Sequence, residues 1–353
     1  MDRPTRQRLL TQLALLSPGT ALRDGLDRIV HGGTGALIVL GRNAAVDALV
    51  TGGFAIDEPL TAPGLRELAK MDGAILLDTG LERIVHAGAH LMPDAGIPTT
   101  EHGTRHRTAD RVARQAGVPV VTVSASMSSI SLFLDTVNYS LQRPEQLLSE
   151  ANQALATLAR YRDRLTEAAR RLTALEVQDA VTVEDVAILA RRIELVRRLA
   201  TETDDILIEL GTDGRLVALQ LHELTAGVEE IAAPLSRDYG TGESRLRLEE
   251  LCDLTADELL DAALVARRIH LVPGTLDARL PTRGYRQLAQ IGRLPSGLAE
   301  RLVEHFGSLQ SLLGASSADL MNVDGVDYPV VRLLRDGLTR LTESSYADRL
   351  PSS

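Results

Sequence analysis

A periodic run of apolar residues in the middle of the chain constrains its fold more than any other feature. Between 148 and 175 these residues recur every three or four positions, and Arg, Asp and Glu fill many of the places between them. This spacing puts the apolar side chains on one face of a single α-helix of about eight turns. They are Leu148, Ala151, Leu155, Leu158, Tyr161, Leu165, Ala168, Leu172 and Leu175. Such a stripe is typical of a bundle core or a subunit contact, and periodicity leaves both open.

The segments on either side of this stripe divide the chain into three predicted domains. A length of 353 residues exceeds what one core usually supports, so two or three domains are expected. We place them at 1–140, 141–280 and 281–353. The middle domain is predicted to be all-α, since 183–200 repeats the amphipathic pattern. The stretch 235–247 is predicted to be a linker.

The first domain alternates short apolar runs with amphipathic segments. Runs of four to eight apolar residues bounded by Gly, Pro or Asp are typical of buried strands. The predicted strands are 34–41, 74–78, 82–91, 118–124 and 131–135, and the predicted helices are 22–30 and 104–117. Because 74–78 and 82–91 are joined by a short Thr-Gly turn, they are predicted to pair antiparallel. The domain is therefore predicted to be α/β, with a mixed sheet covered by helices.

The third domain is predicted to be all-α, a series of short helices separated by glycine turns. Gly292 with Arg293 and, further on, Gly325 lie in two turns that have the outline of a helix–hairpin–helix. In that motif backbone N–H groups at the turn hold a DNA phosphate without reading sequence. The alternative is a small helical domain whose glycines only end helices.

Composition excludes several classes of protein. Aromatic residues make up 3% of the chain and Trp is absent, which argues against stacking platforms for single-stranded nucleic acid. Cys252 is the single cysteine, so neither an internal disulfide nor a thiolate metal cage can form. The net charge of −10 gives no overall attraction to DNA or anionic lipid. No run approaches about 20 apolar residues, so we expect a cytoplasmic protein without a membrane partner.

The motif HGTRHRTAD at 102–110 indicates an anion site. Thr104 is predicted to be the N-cap, with Arg105, His106 and Arg107 in the first helical turn. Cations are disfavoured at a helix N-terminus, which already carries partial positive charge. Their presence therefore indicates a polyanion, most simply a triphosphate. The alternative is a solvated basic turn beside Asp110.

A second motif supplies an acid and a bare backbone. Asp72 and Gly73 directly precede the apolar run 74–77. A carboxylate can hold Mg²⁺ or Mn²⁺ against phosphate oxygens, and Gly73 would let a nucleoside approach the backbone. One carboxylate with several cations suits phosphoryl or nucleotidyl transfer and is a poor set for glycoside hydrolysis.

The pair DGA (72–74) and GTRHRT (103–108), in this order, resembles the diadenylate cyclase family, and the three-domain order resembles its DisA-type members. The resemblance implies that two ATP condense into cyclic di-AMP with release of two diphosphates. It implies that Asp72 binds the metal and that Arg105, His106 and Arg107 hold phosphates. It also implies ATP contacts from Gly73, Leu91, Thr104, Thr108 and Ser124. Face-to-face cyclase domains in a homo-octamer, assembled through a helical spine, would complete the site.

The resemblance further implies binding of branched DNA, which would regulate turnover and could associate the protein with the nucleoid. The hairpins depart from the usual pattern. The second has Asp327 where a glycine is expected, and the first has Pro295, which lacks an N–H donor. A DNA-structure-binding scaffold with a vestigial cyclase site is the alternative function.

Other residues near the motifs are interpreted as structural. His86, His90 and His102 lack the carboxylate or cysteine spacing of a zinc site. Asp78 is predicted to start a turn. The GGTG turn at 32–35 lacks the Lys-Ser/Thr of a phosphate loop and is interpreted as a turn only.

Overall fold

The structure is a computed structural model that describes residues 3–240, 245–271, 275–292 and 294–347. Contacts between residues divide the chain into two compact units. The first contains 1–153 together with 204–219, and the second contains 154–203 together with 220–353.

The first unit is built around a sheet flanked by helices. Its strands are β1 (Ala36–Leu40), β2 (Val50–Thr51), β3 (Phe54–Pro59), β4 (Ala74–Leu77), β5 (Arg83–Leu91), β6 (Val120–Ser124), β7 (Ser129–Leu134) and β8 (Val137–Ser140). Its shorter helices are α1 (Arg3–Leu15), α2 (Ala21–His31), α3 (Ala44–Leu49), α4 (Ala62–Leu68) and α5 (Thr104–Ala116).

The strands form one mixed sheet in the order β2-β5-β4-β1-β6-β7-β8, and β3 pairs with β5 beside this path. β1 and β4 are parallel, whereas β4 with β5 and β1 with β6 are antiparallel. Strands β1, β4 and β6 are buried throughout. Continuous apolar runs are what a sheet covered on both faces requires.

Each face of the sheet has its own hydrophobic core. On one face Leu26 and Ile29 of α2 pack with Leu65 of α4 against alternate residues of the strands. On the other face Val112 and Ala113 of α5 pack against the remaining alternate residues. Successive strand residues point to opposite faces, so the same short strands contribute apolar side chains to both cores.

The remaining helices are long in the middle of the chain and short towards its end. They are α6 (Pro144–Val177), α7 (Val183–Leu210), α8 (Arg215–Thr225), α9 (Val228–Asp238), α10 (Ala262–Arg268), α11 (Tyr285–Gln290), α12 (Leu298–Phe306), α13 (Leu309–Gly314), α14 (Ser317–Met321) and α15 (Tyr328–Ala347). Short 3₁₀ helices occupy Gly211–Gly214, Leu248–Asp253 and Glu258–Leu260. The last five helices share one apolar core that includes Leu298, Leu302 and Leu334.

A buried polar network holds α11 within the second unit. The Glu176 carboxylate is 0% exposed, and it accepts hydrogen bonds from Arg286 Nε at 2.9 Å and from Tyr239 Oη at 2.7 Å, together with one from Gln287. Asp238 accepts from the backbone N–H groups of residues 284, 285 and 286 at 2.7 to 2.8 Å. This carboxylate therefore satisfies the free donors at the start of α11.

The predicted fold class is confirmed: an α/β domain with a mixed sheet is followed by a long helical region and a helical C-terminal region. The boundaries of the three predicted domains stay a prediction. The linker predicted at 235–247 is wrong for 235–238, which end α9 with Leu235 and Asp238 buried. The part of it at 241–244 lies outside the described residues.

Candidate active site

The sheet topology brings four strand ends to one edge. Because β1 and β4 are parallel, both begin at this edge, and the antiparallel β5 and β6 both end there. The N-terminus of α5 reaches the same place. A cavity of about 700 Å³ opens at this edge, a size typical of small-ligand sites.

The cavity brings together most of the predicted site residues. Those that line it are Asp72, Gly73, Leu91, Thr104, Arg105, His106, Thr108 and Ser124. Arg107 is exposed and is not among the lining residues. Sequence reasoning gave no site role to Leu37, Ala74, Ala89, Met92, Gly103, Val123, Ala125 and Ser126, and it interpreted His90 as structural. Ala74 and Gly103 stand in the two motifs, and Ala89, Met92, Val123 and Ala125 lie at or beside the ends of the predicted strands 82–91 and 118–124, which is the signal that could have found them.

The turn before β4 explains why an acid stands next to a glycine. Gly73 has φ of +112°, and a Cβ there would lie 2.6 Å from the carbonyl carbon of Gly88 on β5. The glycine is therefore required by the neighbouring strand, as well as lining the cavity. The same turn leaves the Asp72 carboxylate fully exposed at the cavity.

The start of α5 is capped differently from the sequence prediction. Gly103, at φ of +88°, is the N-cap, and Thr104 is the first helical residue. Gly103 has no side chain with which to accept a hydrogen bond from the first turn. The first helical N–H groups have no partner inside the helix, so they are available to an anion in the cavity. The prediction of Thr104 as N-cap was wrong by one residue because Gly103 takes the positive φ that the turn needs.

The two charged motifs meet across the cavity. Arg105 Nη2 lies 4.0 Å from Asp72 Oδ1, although the residues are far apart in sequence. The Arg105 side chain is 48% exposed, so this pair contributes little to stability. His106 packs edge-on to Phe133 with ring centroids 6.0 Å apart, and its buried Nε2 has no hydrogen-bond partner. Both side chains thus retain donor capacity that the fold does not use.

Hydroxyl groups complete the lining. Ser124 ends β6, and its Oγ lies 3.3 Å from Ser126 Oγ. The Met127 N–H donates to the same Oγ at 3.3 Å. The hydroxyl is therefore held at the cavity wall by the turn between β6 and β7.

The donor set fits a divalent metal that is shared with a ligand. Within the described ranges, no group of three or more His, Cys, Asp or Glu residues could hold a metal ion. Asp72 is the carboxylate among the cavity-lining residues. Mg²⁺ commonly takes one or two protein carboxylates and completes its shell with phosphate oxygens and water. Asp72 therefore suits a metal that arrives with a nucleotide.

The two C-terminal hairpins differ in how their polar groups are used. Gly325 has φ of +82°, and Arg301 Nε donates to the Asp324 carbonyl at 2.8 Å. Asp327 accepts from the Val330 N–H at 3.0 Å, so its carboxylate caps α15. Gly292 has no atom within 4 Å of the position a Cβ would take. Arg293 lies outside the described residues.

Comparison with known proteins finds a family match for the α/β domain and another for the helical region that follows it. Residues 23–137 match the family described as DisA bacterial checkpoint controller nucleotide-binding, and residues 141–275 match the DisA bacterial checkpoint controller linker region. DNA integrity scanning protein DisA of Acidothermus cellulolyticus is 52% identical, over 99% of this chain and 97% of that protein. The protein of the same name from Kineococcus radiotolerans is 49% identical, over 99% of each chain. A solved structure of DacA from Staphylococcus aureus is 22% identical and covers 42% of this chain and 97% of that one, and its TM-score of 0.30 supports no argument.

The α/β domain with this cavity is a nucleotide-binding domain of the diadenylate cyclase class. The chain as a whole belongs to the DisA family. The predicted enzyme class, a nucleotidyltransferase that makes cyclic di-AMP from two ATP, is confirmed. In the parts of the chain that the structure describes, no helix combines the length and apolar character needed to cross a membrane.

Proposed function

We propose that this diadenylate cyclase works across a pair of cyclase domains from two subunits, each holding one ATP, with Mg²⁺ or Mn²⁺. The observation that carries the proposal is the position of Asp72 and Arg105, 4.0 Å apart on one cavity of about 700 Å³. Such a cavity suits one nucleotide. Joining two nucleotides therefore calls for a second copy.

Each transfer forms one bond and breaks one. The 3′-hydroxyl oxygen of one ATP attacks the α-phosphorus of the other, and the bond from that phosphorus to diphosphate breaks. Asp72 would hold the metal and accept the hydroxyl proton. The metal would neutralise charge on the phosphate oxygens. Two such transfers close the ring and release two diphosphates.

The start of α5 would bind the phosphates. Arg105 and His106 would donate hydrogen bonds from the cavity wall, together with the free N–H groups of the first turn. Arg107, which is exposed, would add charge at the cavity mouth. Gly73, Leu91, Thr104, Thr108 and Ser124 would contact ATP through backbone or hydroxyl groups.

An exposed apolar rim supports a facing copy. The side chain of Phe54 is 65% exposed and that of Met92 66% exposed, and Met92 lines the cavity. Phe54, Met71 and the Asp72 carbonyl oxygen all lie within 4 Å of the position that a Cβ would take at Gly88. Exposed apolar patches with a polar surround are typical of interaction sites. We propose that the facing cyclase domain covers this rim.

Homo-octamer assembly is part of the proposal, with its contacts placed outside the buried part of the long stripe. Residues Leu158, Leu165 and Leu172 of α6 are at most 1% exposed within the single chain. This burial favours the bundle-core interpretation of the stripe. Sizing of the protein in solution tests assembly, because a monomeric enzyme with full activity would contradict the facing arrangement.

The enzymatic test compares Asp72→Asn with Asp47→Asn. Asp47 is an exposed acid of the same domain that is paired with Arg42 at 2.6 Å and does not line the cavity. After incubation with ATP and Mn²⁺, anion-exchange chromatography should detect cyclic di-AMP from the wild type and from Asp47→Asn. Asp72→Asn should lose at least about a hundredfold in rate, since it removes the metal ligand. Full activity in Asp72→Asn would remove the carboxylate from the mechanism.

We also propose that branched DNA binds the C-terminal helices and lowers turnover, with contacts from Gly292, Arg293 and Gly325. The bare backbone at Gly292 favours the first hairpin over the second, where Asp327 already caps the following helix. Gel shifts on branched DNA should weaken with Arg293→Glu and not with Arg332→Glu, an exposed arginine of the same region. Equal shifts for both variants would exclude the first hairpin as the contact.

A further inference from the structure

The glycine turn at 32–35 contacts the active site. Gly35, its last residue, directly precedes β1 and is half-buried. A Cβ at this position would lie 2.8 Å from Nη1 of Arg105 and 3.3 Å from its Cζ. At Gly33, two residues earlier, nothing lies within 4 Å. Of these two glycines, only Gly35 lies against the Arg105 guanidinium.

The sheet register explains why position 35 lies there. β1 and β4 pair Ile38 with Ile75, and continuing that register sets Gly35 level with Asp72. β1 and β6 pair Ala36 with Val123, and one further step sets Gly35 level with Ser124. Gly35 thus lies between the carboxylate and the hydroxyl on the edge of the sheet that carries the cavity.

Backbone conformation does not account for this glycine. Gly35 is not among the glycines with positive φ, so its φ does not by itself require a glycine. The atoms that a methyl group would meet belong to Arg105 and, at 3.2 Å, to the Val123 carbonyl oxygen. The absence of a side chain at position 35 therefore leaves room for the Arg105 guanidinium.

We propose that Gly35 is a positioning residue that seats the Arg105 guanidinium over the bare backbone, within 4.0 Å of Asp72. Arginine has several rotatable bonds, and this one is 48% exposed, so its position depends on what lies beneath it. The inference rests on the proposed function, in which Arg105 binds the phosphates of ATP. Nothing in the turn itself needs to touch the nucleotide.

A methyl group at position 35 would move the guanidinium towards the cavity mouth. The charge-assisted hydrogen bonds to phosphate would then be lost, which we expect to cost about ten- to a hundredfold in kcat/KM. Binding of ATP should weaken by a similar factor, whereas binding of adenosine, which has no phosphate, should stay within about twofold. General damage to the fold would weaken both ligands.

The experiment is a double-mutant cycle on the full-length protein with Gly35→Ala, Arg105→Ala and the double variant. Gly80→Ala is the matched control, since Gly80 also lacks positive φ and lies in an exposed turn away from the cavity. We expect each single variant to lose activity and the double variant to be no worse than Arg105→Ala by more than about twofold. Losses that multiply in the double variant would overturn the inference.

Two further outcomes are informative. Should Gly35→Ala melt early, the double variant should regain the lost melting temperature, because removing the guanidinium frees the space. A double variant that melts as early as Gly35→Ala would assign the conflict to the Val123 carbonyl and overturn the inference. Full activity in Arg105→Ala would instead refute the proposed function, whereas an impaired Arg105→Ala beside a normal Gly35→Ala would refute only the role of Gly35.

Discussion

Replacing Gly73 with alanine tests whether the strand behind the cavity dictates the motif. The new Cβ would lie 2.6 Å, 2.8 Å and 2.9 Å from three backbone atoms of Gly88 and Ala89. Backbone atoms of a paired strand cannot swing aside as a side chain would. The φ of +112° adds conformational strain.

Gly41 provides a control that separates these two costs. Its φ is +116°, close to that of Gly73, yet nothing lies within 4 Å of its Cβ position. Gly41→Ala should therefore cost only the backbone strain, about 1–2 kcal/mol. Gly73→Ala should cost the same strain and about 1–3 kcal/mol more for overpacking.

The assay is scanning calorimetry of the two variants and the wild type in the same buffer. For a cooperative unit the size of this α/β unit, which comprises 1–153 and 204–219, each kcal/mol lowers the melting temperature by roughly 2–4 °C. We expect the transition of the α/β unit to fall further in Gly73→Ala than in Gly41→Ala. Equal shifts would refute the argument that contact with β5, rather than φ alone, demands glycine at this position.

Three further predictions concern the second unit. Arg286→Met should cost about 3–5 kcal/mol of unfolding free energy, because it leaves the buried Glu176 carboxylate without its cation. Calorimetry of the double variant that also carries Glu176→Met should show a smaller loss, since no unpaired charge is then buried. Burial, with the charge of Glu176, raises the pKa of Asp238 to about 6 against three backbone N–H donors. The stabilisation by this carboxyl is complete below its unfolded pKa near 3.9 and is lost as pH rises through 6. Between pH 4 and pH 7 the unfolding free energy of the wild type should therefore fall by about 3 kcal/mol relative to that of Asp238→Asn, as measured by denaturant titration. Asp327→Ala should cost about 1 kcal/mol, read as an earlier thermal transition, since it removes the cap of α15.

The elements that the sequence predicted well are those with local signals. The strand at 74–77 is marked by an apolar run, and the helix from 104 ends before Gly117 and Pro119; both were found close to their predicted bounds. The short strands β2, β3 and β8 were missed. β3 is mostly exposed and is held by pairing with β5, so its own residues carry no alternating pattern.

The charged residues of the site could be predicted from the sequence, but the contacts that position them could not. Asp72 and Arg105 could be assigned to one site by resemblance, whereas the reason for Gly73 lies on β5 and the reason for Gly35 lies on α5. Asp238 looked like part of a linker because its partners are backbone groups more than 40 residues later. Contacts of this kind arise only in the tertiary structure, so they cannot be identified from a single sequence.

The exposure of the site bears on why a second copy is proposed. A fully exposed Asp72 and a half-exposed Arg105 would act on a nucleotide through water, where two charges 4 Å apart interact by only about 1 kcal/mol. The same pair is worth several times more once water is excluded, which is how preorganised charges lower a barrier. A facing domain seated on the apolar rim would exclude water from both halves at once, and it would bring the 3′-hydroxyl to the α-phosphorus in the same step.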